Sequence, residues 1–128
     1  MKKFALFAFN GDPMCFIHVL LNALDLADKG HEVALVIEGS SVRLTALLTD
    51  GQGLEDFKSA KPDMYALIAD TFRQVKEAGL ITCVCRACAK QLGALETAEA
   101  AGLPFCAELK GHPSMARFVA EGYDILTF

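Results

Sequence analysis

Tryptophan is absent from the chain and tyrosine occurs twice, so its aromatic content is mainly phenylalanine, nine residues of it. Phenylalanine belongs in a core, and no run interleaves aromatic with basic residues in the manner of a single-strand binding groove. Positive charge is also scarce: 12 Lys and Arg face 16 Asp and Glu, a formal net charge of −4. Both features argue against nucleic acid as a partner. Long hydrophobic runs are missing, so no membrane span is expected. The run Phe4–Phe9 is short, and Asn10-Gly11-Asp12-Pro13 offers no small-residue cleavage site. A first strand is expected there, not a secretory leader. No repeat, linker or low-complexity stretch divides the 128 residues, and one domain, 1–128, is expected.

What is abundant is apolar: 53% of residues are hydrophobic and 22% charged, the balance of a globular chain with a strong core. Apolar runs at Lys3–Phe9, His31–Glu38 and Leu80–Cys85 read as buried parallel strands, with Leu103–Leu109 as a fourth. Tyr123–Phe128 alternates, as an edge strand does. Between them lie helical patterns. Asp12 and Pro13 open a helix that runs to Lys29 and stops at Gly30. This helix carries more apolar residues than one sheet face needs, which points to burial against another subunit. Val42–Leu48 reads as a short helix, 49–61 as a longish loop, and Pro62 to Gly79 as a well-patterned helix. Lys90–Ala101 is helical with a break at Gly93, and Gly111-His112-Pro113 starts a last helix closed by Gly122. Strands alternating with helices give an α/β fold: a Rossmann-like (flavodoxin-like), mostly parallel five-stranded sheet with helices on both faces.

Five cysteines, Cys15, Cys83, Cys85, Cys88 and Cys106, make an odd count, with three crowded into six positions. A secreted disulfide framework would spread them through a loop-rich chain. A reducing cytoplasm with chemically used thiols is the expectation. Cys85 ends the central strand where helical spacing begins, so free backbone N–H groups beside its sulfur would favour an exposed thiolate. In a doubly wound sheet, ligands gather beyond the carboxyl ends of the strands where the strand order reverses. With a flavodoxin-like order, the turn Asn10–Cys15 and the turn Val84–Cys88 flank that point, and the His112 loop lies at the same edge. Asn10, Gly11, Asp12, Cys15, Arg86 and His112 are therefore candidate site-lining residues around Cys85 and Cys88.

Each candidate has a plainer alternative. Cys85 is a nucleophile or a packed small hydrophobe. Cys88 resolves a Cys85 adduct as a disulfide or faces the core. Cys83 and Cys106 are core cysteines, and Cys15 sits near the site or in the core. His112 caps a helix or serves as a base. His18 fits a polar stripe and His31 a strand edge. Arg86 and Lys90 form an anion-attracting rim or stand as solvated charges. Cys83, Cys85 and Cys88 with Cys106 or His112 would supply four zinc ligands, but paired C-x-x-C knuckles are absent, and no cofactor is expected.

The run Cys85-Arg86-Ala87-Cys88-Ala89-Lys90-Gln91-Leu92-Gly93 resembles the DsrE/DsrF-like (TusD- and YchN-like) sulfur-relay proteins. Their active cysteine ends a central strand eight residues before a glycine, as Cys85 precedes Gly93. The YchN-like branch has a second cysteine three residues on, matching Cys88. Lys29-Gly30-His31-Glu32-Val33 and Gly122-Tyr123-Asp124-Ile125 support the likeness, whereas Gln91-Leu92 replaces the usual arginine before the glycine. The resemblance implies a Rossmann-like fold, homo-oligomers (trimers or hexamers, or a dimer) and a persulfide carried on the cysteine. Its partners would be sulfur donor and acceptor proteins or small thiols. The residues themselves leave open a thiol–disulfide redox protein using Cys85 and Cys88, or a non-catalytic, possibly zinc-holding, binding module.

Overall fold

A computed structural model describes residues 1–128. Five strands, β1 (Lys3–Ala8), β2 (Glu32–Ile37), β3 (Ile81–Cys85), β4 (Phe105–Cys106) and β5 (Asp124–Thr127), form one sheet in the order β4-β3-β2-β1-β5. Every pairing is parallel. Six α-helices alternate with them: α1 (Pro13–Asp28), α2 (Glu55–Ala60), α3 (Pro62–Glu77), α4 (Arg86–Gln91), α5 (Leu95–Ala100) and α6 (Met115–Ala120). A 3-10 segment, Gly39–Leu48, follows β2 directly. The α/β class and the five-stranded parallel sheet are as expected.

The two sides of the sheet are unequal. The larger core holds Leu6, Leu35, Ile37 and Val84 of the strands with Phe16 and Leu20 of α1 and Ile68 and Phe72 of α3. Phe16 and Phe72 meet edge to face, 5.0 Å between centroids. The extra apolar width of α1 therefore serves α3 as well as the sheet, and Leu21 is its one large apolar side chain left exposed. The smaller core joins Ala5, Phe7, Ala34, Val36, Cys83 and Cys106 to Phe118 of α6. No helix is long and apolar enough to cross a membrane.

Strand order corrects one expectation. β2 lies between β1 and β3, so the Asn10–Cys15 turn does not border the cysteine turn; the end of β2 does. Gly11 instead sits against Ser40, where a Cβ would come within 2.7 Å of the serine Cβ. Ser41, fully buried, ties the two strand ends by donating to the carbonyls of Ala8 and Glu38, both at 2.7 Å. Three further differences are local. Glu55–Ala60 is a helical turn inside the expected loop. The fourth strand shrinks to two residues, and the last helix starts at Met115 instead of Gly111. The cause of the last two is a tight turn at 107–114, closed by a bridge between Leu109 and His112. Its hydrogen bonds compete with both strand and helix.

Candidate functional site

The site forms where β3 gives way to α4. Thr82 is a break in the β2–β3 register, since Leu35 pairs with Ile81 and Val36 with Cys83. Cys85, extended at φ −61° and ψ 115°, is the cap of α4. Its Sγ accepts from the Cys88 backbone N–H at 3.4 Å, as a capping side chain does. Unlike the expected thiolate, Cys85 is fully buried. Burial pushes its thiol up to about 12; the Cys88 N–H pulls the other way, and the Cys88 thiol and the Glu38 carboxylate add to the rise. The resting group is a neutral thiol because desolvation outweighs one capping hydrogen bond.

Three chain segments converge on it. His112 places Nδ1 3.1 Å from Cys85 Sγ and 3.8 Å from Cys88 Sγ. Glu38, at the end of β2, holds Oε1 3.9 Å from the same nitrogen. Burial raises the Glu38 carboxyl above its ordinary value, and the proximity of His112 opposes this. The donor atoms of Glu38, Cys85, Cys88 and His112 all lie within 4.8 Å of one another. The Cys85 thiol faces Nδ1 within hydrogen-bonding distance and also lies 3.9 Å from the Gly111 carbonyl. His112 is half-buried and opens onto a cavity of about 500 Å³, whose walls include Phe9, Glu38, Leu109 and Met115.

The loop that carries His112 is fixed from two sides. Glu108 accepts from the backbone N–H groups of Ala107 and Ser114, both at 3.1 Å, and from the Arg117 guanidinium at 3.2 Å. Burial works against the charged carboxyl, yet the hydrogen bonds from the Ser114 and Glu108 backbone and from Arg117 hold it below the ordinary value. On the other side, the Gly111 carbonyl accepts from the Ala87 N–H at 2.8 Å. Gly111 has φ +90°, and a Cβ there would reach within 3.0 Å of the Ala87 Cβ. Only glycine lets this loop lie so close to α4.

The other candidates part company with the cluster. Cys83 and Cys106 form a disulfide with Cα atoms 5.5 Å apart in the smaller core. They are unavailable as zinc ligands, which removes the ligand set of Cys83, Cys85, Cys88 and Cys106. Cys15 is exposed, not packed in the core. Asn10 accepts from the Asp12 N–H, and Asp12 caps α1 through the Met14 N–H, both away from the thiols. Arg86 is exposed and lies over the Phe105 ring. His18 is exposed, and His31 accepts from the Lys2 N–H beside the Phe4 ring. The residue missed was Glu38. Its signal was present: a lone acid directly after the apolar run Val33–Ile37, at a carboxyl strand end.

An all-parallel α/β domain with a free thiol capping the helix after an interior strand defines the class. Within it, the sequence profile of the DsrE/DsrF-like family matches residues 2–128. The chain belongs to that family. It is similar to two uncharacterized proteins of Archaeoglobus fulgidus. One is 38% identical over 50 residues, covering 39% of this chain and 82% of that protein. The other is 46% identical over 37 residues, covering 29% of this chain and all of that protein.

Proposed function

We propose that the protein is a sulfur-relay carrier, holding sulfane sulfur on Cys85 as a persulfide and passing it to an acceptor thiol. The observation that carries the reading is the 3.1 Å contact between Cys85 Sγ and Nδ1 of His112, a residue that lines a cavity. A thiol pushed up to about 12 needs a base, and the imidazole is within reach of its proton. As the proton moves to Nδ1, the Cys85 sulfur attacks the terminal sulfur of a donor persulfide. The donor's S–S bond breaks and its thiol leaves with a proton, so no net oxidation occurs. Glu38, 3.9 Å away, favours the imidazolium that forms in between. Delivery runs the exchange in reverse: an acceptor thiolate takes the outer sulfur, and Cys85 recovers its proton.

Cys88 offers a second exit. Its sulfur, within 4.8 Å of the other donors, can attack the inner sulfur of the Cys85 persulfide. That step forms a Cys85–Cys88 disulfide and releases hydrosulfide. The setting we assign is the cytoplasm, with donor and acceptor proteins or small thiols as partners and a homo-oligomer as the working form. The Cys83–Cys106 bridge is buried and shielded there from reductant. Incubation with a persulfide donor followed by mass spectrometry should show one added sulfur, removed by reductant. Cys85→Ser should abolish the addition and Cys88→Ser should retain it. A wild-type chain that gains no sulfur with both thiols reduced rules the reading out.

A further inference from the structure

We infer that Cys85, Cys88, His112 and Glu38 together form a site for a single thiophilic divalent cation of the zinc type. Two thiolates, an imidazole and a carboxylate are a donor set that zinc accepts. Spacing agrees with chemistry. A tetrahedral zinc, with sulfur at about 2.3 Å and nitrogen or oxygen at about 2.0–2.2 Å, sets its ligand atoms about 3.3–3.8 Å apart. Here Nδ1 of His112 lies 3.1 Å from Cys85 Sγ, 3.8 Å from Cys88 Sγ and 3.9 Å from Glu38 Oε1. All four atoms fall inside a 4.8 Å group.

The donors come from three segments that the sheet order brings together, so the set is a product of the fold. Cys85 and Cys88 flank the start of α4, Glu38 ends β2, and His112 follows β4. Without a cation, a half-buried carboxylate beside two sulfurs is a poor companion for either as an anion. With one, the dication offsets two of the set's three negative charges. The cavity at His112 and Glu38 provides the route in. On binding, two S–H bonds give way to two sulfur–metal bonds, and both protons pass to solvent.

The site does not depend on the sulfur-relay reading. Both states engage the Cys85 sulfur, so bound metal competes with sulfur loading for it.

The experiment uses the full chain in a non-thiol reductant, titrated with Co²⁺ and then with Zn²⁺ against a chromophoric chelator. One equivalent of Co²⁺ should give near-ultraviolet thiolate charge-transfer absorption together with the visible bands of a tetrahedral ion, and Zn²⁺ should displace it. Loss of an outer-shell partner typically weakens metal binding by 10–100-fold, so His112→Ala and Cys88→Ser should each weaken it by about 100-fold or more. Glu38→Gln should weaken binding by about tenfold or more, and Cys15→Ser should leave it unchanged. Circular dichroism of each metal-free variant shows that the fold persists. Absence of the thiolate band, or a band undiminished in Cys85→Ser, overturns the proposal. So does an affinity indifferent to both His112→Ala and Glu38→Gln. Sulfur loading measured in chelator is read separately, so either proposal can fail alone.

Discussion

Cys83 and Cys85 are two positions apart on β3, yet one is bonded to Cys106 within the smaller core and the other is free at the strand's end. Both are buried to a similar degree, at 2% and 0% exposure, so burial alone does not separate structural from chemical cysteines. What separates them is company. Cys83 shares the smaller apolar core with Ala5, Phe7, Val36 and Phe118 and is bonded to Cys106. Cys85 has an imidazole, a carboxylate and a second thiol within 4.8 Å. The carboxyl end of a parallel strand opens onto loops, and loops can bring polar groups that a sheet interior excludes.

The sharpest way to break the contrast is to remove the base. His112→Ala should slow sulfur acceptance by Cys85 by about 10²–10⁴-fold, the usual worth of a positioned general base. Stopped-flow loading against pH should lose its imidazole-dependent limb, while circular dichroism stays unchanged. Loss of the folded signal alongside the rate would assign His112 to structure instead.

The opposite intervention acts on the other pair. Cys83→Ala with Cys106→Ala should cost about 3 kcal/mol in urea unfolding, the cross-link closing a separation of 23 residues. Loading of Cys85 should be retained under native conditions. A variant that keeps its stability but loses loading would show that the two pairs are coupled.

Gly111→Ala tests how the His112 loop is held. Forcing a side chain into φ +90° against Ala87 should cost about 1–2 kcal/mol and reduce loading by displacing the imidazole. Equal loading with full stability would mean that the close approach of loop and helix is unimportant.

The smallest perturbation is alkylation of the unmodified protein. Exposed Cys15 should react first at neutral pH and buried Cys85 last, as followed by peptide mass mapping. The Cys85 shift also has a linkage sign. Its thiol value is raised on folding, so the associated stability is complete below the unfolded value of about 8.5 and drains as pH climbs toward about 12. Urea midpoints that rise across that alkaline interval would contradict it.

Much of this was legible in the chain. Apolar runs with intervening helical periods gave the α/β class, because buried parallel strands need no alternation. The position of Cys85, the helix after it and the break at Gly93 were readable from local spacing alone. Strand order was not, since β2 and β1 are equally apolar and nothing in either says which one borders β3. That ambiguity brought Asn10, Gly11, Asp12 and Cys15 into the expected site and left Glu38 out. The Cys83–Cys106 bridge was hidden for a similar reason: it spans two strands whose pairing only the folded sheet defines. The state of the Cys85 thiol turned on a magnitude, the desolvation of one atom, which residue order does not encode.

The depth of Cys85 decides what the protein does between encounters. A protonated sulfur scarcely reacts with peroxide or stray electrophiles, because the attacking species in such side reactions is the anion. Damage should therefore fall first on Cys15, at the surface, where a lesion disables nothing in the cluster. Under the proposed relay the thiol stays dormant until a persulfide donor arrives and the Cys85 proton passes to His112.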